Sequence, residues 1–186
     1  MKETEVIKYL IENKEKDHNI SSIAKAINID YKNTHNIIKR LEKNKILEIE
    51  EFGNSKKIIL NNKIHPLLFK AEYERREIIL KNKNLEIIQQ HLEKIKFPYI
   101  MLLFGSYAKG TKTKHSDIDL LTISENENKI SSVLSILPLK IHLTVLKPVE
   151  FISMARSKEF SVVSEALKKN IILIGIDEYY RLMQNV

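Results

Sequence analysis

Residues 104–120 read FGSYAKGTKTKHSDIDL and connect two apolar runs, residues 99–104 and 118–123, whose facing ends they include. Short apolar runs bounded by glycine and polar residues predict buried β-strands. Gly110 predicts the end of a short helix that follows the first strand. The stretch therefore predicts a strand, a short helix, a polar loop and a second strand.

Two aspartates, Asp117 and Asp119, are separated by one residue where the second strand begins. Because successive side chains of a strand point to opposite faces, we expect both carboxylates on one face and Ile118 and Leu120 in the core. Neighbouring carboxylates repel each other, and a cation offsets that cost. Mg²⁺ often takes one or two carboxylates together with substrate phosphates. The pair therefore predicts a site for Mg²⁺ or Mn²⁺.

Gly105 and Ser106 follow the first predicted strand directly. Glycine permits backbone conformations and close approaches that a Cβ atom would forbid. The Ser106 hydroxyl and the backbone amides that follow are suited to binding phosphate oxygens. Lys109, Lys112 and Lys114 lie between the two halves of the motif, and we expect them to offset phosphate charge.

The ordered pattern of strand, Gly-Ser, Asp-x-Asp and strand resembles the polymerase-β-like nucleotidyltransferase superfamily. GSYAKGTKTKHSDIDL is similar in particular to its minimal nucleotidyltransferases, and the resemblance covers residues 99–175. It implies transfer of a nucleoside monophosphate from an NTP such as ATP to an acceptor. It also implies that Asp117 and Asp119 ligate the metal. The implied nucleotide-binding residues are Gly105, Ser106 and Lys109.

Active members of this superfamily usually carry a third carboxylate on the next strand. Aligning residues 141–146, IHLTVL, with that strand puts His142 at this position and Thr144 beside it on the same face. A histidine can ligate a metal or act as a base near neutral pH, but a lone strand histidine is often just a partly buried polar residue. The implied catalytic set is Asp117, Asp119 and His142. Two functions stay open: an active transferase, and a weak or inactive nucleotidyltransferase fold that acts as a regulator or antitoxin-like partner.

Residues 1–63 show apolar positions at helical spacing, followed by the alternation typical of a β-hairpin with a turn at Gly53-Asn54. Ser21 or Ser22 is the predicted cap of the second helix, and Asp30 that of the third. Residues 20–50, ISSIAKAINIDYKNTHNIIKRLEKNKILEIE, resemble the winged helix-turn-helix family.

That resemblance implies that the third helix enters the DNA major groove while the hairpin touches the DNA backbone. The alternative is a solvated basic face on a protein-interaction module. Glu48, Glu50 and Glu51 would repel phosphate and weaken the DNA interpretation. The residues expected to contact DNA are Lys32, Asn33, His35, Asn36, Lys39, Lys56 and Lys57.

The predicted fold class is α+β, with three parts along the chain. These are a winged helix-turn-helix at 1–63, a helical connector at 64–96, and a nucleotidyltransferase domain with a mixed sheet and flanking helices at 97–186. Predicted helices occupy 67–81, 84–95, 128–137, 148–157 and 161–169, and predicted strands 99–104, 118–123, 141–146 and 171–174.

The bulk composition sets broad limits. The chain has 186 residues, 43% of them hydrophobic, and no cysteine, which excludes disulfides and thiolate chemistry. Its net charge of +7 suits an anionic partner, although a lysine-rich composition gives the same value. The apolar runs are too short to span a bilayer, so we expect a soluble cytoplasmic protein. The expected partners are nucleotide, DNA and an acceptor protein. The resemblance to minimal nucleotidyltransferases implies a HEPN-type toxin as one candidate acceptor. A homodimer is a candidate assembly.

Overall fold

The computed structural model describes residues 2–52, 55–157 and 159–186, so the predicted turn at Gly53-Asn54 lies outside the described residues. The chain divides into two compact units, Met1–Glu72 and Tyr73–Val186. The described elements are α1 (Lys2–Glu12), α2 (Ile20–Ala26), α3 (Tyr31–Lys43), β1 (Leu47–Phe52), β2 (Ser55–Leu60), α4 (Pro66–Ile79), α5 (Lys83–Leu92), β3 (Ile100–Phe104), α6 (Gly105–Lys109), β4 (Ile118–Ile123), α7 (Glu127–Ser135), β5 (Ile141–Leu146), α8 (Pro148–Ser157), α9 (Val162–Lys168), β6 (Ile171–Ile174) and α10 (Ile176–Met183).

The first unit contains α1, α2 and α3, followed by the antiparallel pair β1–β2. This is the order of elements expected for a winged helix-turn-helix, and the family assignment itself stays a prediction. The Asp30 side chain caps α3 as predicted, because it accepts a hydrogen bond from the Asn33 amide at 2.9 Å.

The predicted cap of α2 is wrong. The cap is Asn19, whose side chain accepts a hydrogen bond from the Ser22 amide at 2.8 Å, while the Ser22 hydroxyl accepts one from the Asn19 amide at 3.0 Å. Asparagine and serine are about equally good caps, so the sequence alone did not decide where this helix begins.

A four-stranded sheet in the order β5-β4-β3-β6 organises the second unit. β3 runs antiparallel to β4 and β6, whereas β4 and β5 run parallel. The predicted mixed sheet with flanking helices is confirmed, and β4 and β5 have the predicted bounds. α10 was not predicted, because it begins after Gly175 without a side-chain cap at its N-terminus.

The core of this unit forms between the sheet and the helices α5 and α7. Leu85, Ile88 and Leu92 of α5 are fully buried against the strands, and Ile130 of α7 joins them. Every residue of β3 is buried. A strand buried along its whole length has little freedom to shift, so the residue that follows β3 has a fixed position. Among the described residues, no helix is both long and apolar enough to cross a membrane.

Candidate active site

Strand register brings together residues that are far apart in the sequence. Phe104 at the end of β3 is paired with Asp119 on β4, and Asp119 is paired with His142 on β5. Gly105 follows Phe104 directly, so Gly105, Asp119 and His142 lie at the same end of the sheet. The two halves of the sequence motif therefore meet at one end of the sheet.

The Asp119 carboxylate is held between two neighbours, and 27% of its side chain is exposed. Its Oδ1 atom is 3.3 Å from Nδ1 of His142. Its Oδ2 atom faces Gly105, where an added Cβ would overlap Oδ2 and lie 2.9 Å from Cγ. Gly105 also has a φ of +65°, which L side chains rarely adopt. Glycine is therefore required here by both the backbone and the carboxylate.

The second aspartate lies one residue before β4. Ile118 and Leu120 are buried in the core at 2% and 0% exposure, which leaves Asp117 and Asp119 on the opposite side. Asp117 is exposed and forms no hydrogen bond or ion pair with another described residue. Its carboxylate is therefore available to a ligand.

Few side chains that could ligate a metal ion lie at this end of the sheet. Within 2–52, 55–157 and 159–186, no three His, Asp or Glu side chains form a group that could hold a metal ion. Mg²⁺ is commonly bound through one or two carboxylates together with substrate phosphates and water. Asp117 and Asp119 fit an ion that binds together with a triphosphate, because phosphate oxygens would complete its ligand shell.

The short helix α6 supplies the other predicted phosphate contact. Ser106 is half-exposed, and its hydroxyl forms no hydrogen bond within the described part of the chain. The helix ends at Gly110 with a φ of +73°, as predicted. Ser106 therefore has a free polar side chain one residue from the Asp119 contact.

The predicted nucleotide-binding lysine has a partner that the sequence did not reveal. Lys109 donates a hydrogen bond to Glu165 of α9 at 3.1 Å, and Lys168 donates one to the other carboxylate oxygen at 2.9 Å. Hydrogen bonds from Lys168 and Lys109 hold the pKa of Glu165 below its ordinary value. A role for Lys109 in binding phosphate therefore requires it to exchange Glu165 for the nucleotide.

The other motif lysines differ in their surroundings. The Lys112 ammonium lies 4.7 Å from the centre of the Tyr107 ring. Lys114 is exposed, without a hydrogen bond or ion pair to another described residue. Unlike Lys109, both Lys112 and Lys114 can therefore move towards an anion without breaking an ion pair to a described residue, and Lys114 also has no ring contact to give up.

The predicted DNA-contacting residues of the first unit fall into two groups, those whose side chains are free within the described part of the chain and those whose side chains already have a partner. Lys32, Asn36 and Lys56 are exposed and have no side-chain partner among the described residues, and His35 is stacked on Tyr31 with 6.3 Å between ring centres. The others are engaged: Asn33 with Asp30 at 2.6 Å, Lys39 with Glu42 at 2.9 Å and Lys57 with Asp17 at 2.6 Å.

Comparison with known protein families gave two matches. The family model described as Polymerase beta, Nucleotidyltransferase matches residues 83–179, more than half of the chain, and this range contains Gly105, Asp119 and His142. A second family model, described as HVO_A0114, matches residues 1–63. No curated protein and no solved structure matches the chain.

Gly105→Ala is expected to destabilise the protein more than Gly110→Ala. The two glycines have similar φ values, +65° and +73°, but a Cβ at 110 has no atom within 4 Å. Both variants should lose about 1–2 kcal/mol through left-handed backbone strain. Gly105→Ala should lose roughly 1–3 kcal/mol more through overpacking against Asp119. Thermal unfolding followed by circular dichroism measures the difference.

Side-chain NMR of His142 reports whether Asp119 moves in the Gly105→Ala and Gly110→Ala variants. Displacement of Asp119 should shift the His142 imidazole resonances in Gly105→Ala and leave them in place in Gly110→Ala. Equal stability losses with unchanged His142 resonances would contradict the close contact between Gly105 and Asp119.

Proposed function

This chain belongs to the polymerase beta nucleotidyltransferase family, and we propose that it binds an NTP with a divalent metal ion and transfers the nucleoside monophosphate to an acceptor hydroxyl. The observation that carries this proposal is the position of the Asp119 carboxylate, fixed by Gly105 on one side and His142 on the other. A carboxylate fixed in this way is preorganised for binding, so it loses little freedom when the ligand arrives.

The residues divide into two groups in this proposal. Asp117 and Asp119 would hold Mg²⁺ or Mn²⁺, while the Ser106 hydroxyl and the backbone that follows Gly105 would bind phosphate oxygens. A bound divalent ion would offset the negative charge of the phosphates. The exposed Lys114 is suited to add positive charge at the same end of the sheet.

His142 is the proposed base. A carboxylate only accepts hydrogen bonds, so the contact with Asp119 Oδ1 favours the tautomer with the proton on Nδ1 and leaves Nε2 as an acceptor. The imidazole is well exposed, with 67% of its side chain accessible, so an acceptor molecule can reach it.

The proposed reaction then balances without a further reagent. The acceptor oxygen forms a bond to the α-phosphorus, and its proton passes to Nε2 of His142. The bond from the α-phosphorus to the oxygen that bridges it to the β-phosphate breaks, and pyrophosphate leaves. The histidine thus takes the proton that a third carboxylate would otherwise accept. A protein hydroxyl is the predicted acceptor, with a HEPN-type toxin as one candidate.

Asp119→Asn and Asp117→Asn are expected to reduce nucleotide transfer on the order of 100-fold, because each removes a charged group that stabilises the transition state. Each of the four α-labelled NTPs is incubated with Mg²⁺ or Mn²⁺ and cell-extract proteins as acceptors, and the transferred label is measured on a gel. Glu127→Gln, an exposed carboxylate in the first turn of α7, is the matched control. The proposal fails if no NTP transfers label and neither aspartate variant alters nucleotide binding.

His142→Ala is expected to lower the transfer rate by about 100-fold or more, the usual contribution of general base catalysis. His142→Gln, which keeps a polar side chain but has no basic nitrogen to take the proton, should lose the rate to a similar extent. His91→Ala, a change of the same kind on α5, should leave the rate intact. An unchanged rate in both His142 variants would rule out this histidine as the base.

A second function, DNA binding, is favoured by the exposed side of α3. Three helices followed by an antiparallel hairpin support a winged helix-turn-helix whose recognition helix is α3. Lys32 and Asn36 on α3 and Lys56 on the hairpin have no partner among the described residues, so they can contact DNA without breaking an ion pair. We propose that this face binds DNA, with Asn36 reading a base edge and the lysines contacting phosphate.

Two substitutions on α3 distinguish phosphate contact from the reading of a base edge. Lys32→Ala should weaken binding to all sequences and reduce the salt slope by about one, because one phosphate contact is lost. Asn36→Ala should cost about 1–3 kcal/mol on the preferred sequence and relax the preference. Gel shifts across a salt series on selected duplexes measure both effects, and Lys94→Ala in the second unit is the charge-matched control. Absence of binding at low salt would exclude DNA as the ligand.

A further inference from the structure

A cleft opens at the end of the sheet opposite to Gly105 and Asp119. Ile100, where β3 begins, and Ile123, where β4 ends, both line it. Five residues of extended strand separate the two ends, a distance of about 15 Å. A molecule in the cleft would therefore not block the proposed nucleotide site.

The interior of the cleft is apolar. Its volume is about 560 Å³, within the usual range of roughly 300–1,000 Å³ for small-molecule sites. Pro98, Ile100, Ile123 and Leu182 contribute to its walls. Tyr99 also lines it, but its hydroxyl donates a hydrogen bond to the Leu92 carbonyl at 2.8 Å. Burial raises the pKa of Tyr99, so the phenol stays neutral. These walls favour an apolar ligand body.

Charged residues also line the cleft, at what we call its rim, and their positive and negative charges do not cancel. Arg181 lines the cleft, but its Nε donates to Asp177 at 3.1 Å, so its charge already has a partner. Glu125 and Glu178 also line the cleft, are exposed, and form no ion pair within the described ranges. Lys129 lies nearby with its ammonium 5.8 Å from the centre of the Phe97 ring, and it does not line the cleft. The uncompensated rim charge is therefore negative, in a chain whose net charge is +7.

We propose that this cleft is a second ligand site, which takes a small organic cation: an amine with an aliphatic or aromatic body. The apolar body would fill the space between Ile100, Ile123 and Leu182, and the ammonium would lie between Glu125 and Glu178. An anionic molecule with the same body would meet two carboxylates without a neutralising partner. This site does not depend on nucleotide transfer, because it shares no residue with the proposed metal and phosphate contacts.

Hexylamine and hexanoate form a matched pair of probes, since they have the same apolar chain and opposite charges at pH 7. Each is titrated into the ¹⁵N-labelled full chain and followed by NMR. Hexylamine should bind about tenfold more tightly than hexanoate, because two exposed carboxylates attract one and repel the other. The perturbed amides should include Ile100, Ile123 and Leu182, and the preference should shrink as salt is raised.

Variants of the rim test the charge argument. Glu125→Gln and Glu178→Gln should each weaken hexylamine binding roughly two- to fivefold. Glu86→Gln, an exposed carboxylate on α5 outside the cleft, should have no effect. Equal affinity for the two probes, perturbed amides elsewhere in the chain, or an equal response to all three variants would each overturn the proposal. Binding of a basic peptide without any binding of hexylamine would overturn it as well, and would identify the cleft as a protein-docking surface.

Discussion

The contact between the Asp119 carboxylate and the backbone at Gly105 is the constraint on which the site depends. Because β3 is buried along its whole length, the residue after it cannot shift to make room for a larger side chain. The absence of a Cβ at Gly105 therefore decides where the carboxylate lies, and the pairing of β4 with β5 then places His142 against it. Gly105 therefore serves two purposes: it leaves room for the Asp119 carboxylate, and it sets the position of that carboxylate in the candidate site.

The sequence predicted much of this site because its signals are local. Apolar runs bounded by polar residues located β4 and β5, and alternation along β4 separated the aspartates from the core. Contacts between distant segments leave no such pattern. The pairing of Lys109 with Glu165 joins residues that are 56 positions apart, and nothing near either residue predicts it. The start of α2 was missed for a different reason, since Asn19 and the serines after it are competing caps.

The two ends of the sheet differ in how their charges are balanced. At one end, the Asp119 carboxylate lies against His142, and the exposed Asp117 has no partner among the described residues. The proposed ligand at that end carries both metal and phosphate. At the other end, Glu125 and Glu178 have no partner among the residues the structure describes. The overall positive charge predicts an anionic partner for the chain as a whole, yet the local balance favours ligands of different sign at the two ends.

The parallel pairing of β4 with β5 also has a consequence for the order in which the protein folds. Parallel strands need a crossover, which α7 provides, and Asp119 and His142 are 23 residues apart. The antiparallel pairing of β3 with β4 closes a shorter segment and costs less chain entropy. A folding intermediate that contains β3 and β4 alone would hold Gly105 and Asp119 in place and lack the histidine. Under the proposed function, such a species would hold a proposed metal ligand before it gained the proposed base, so the capacity for turnover would be the last property to form.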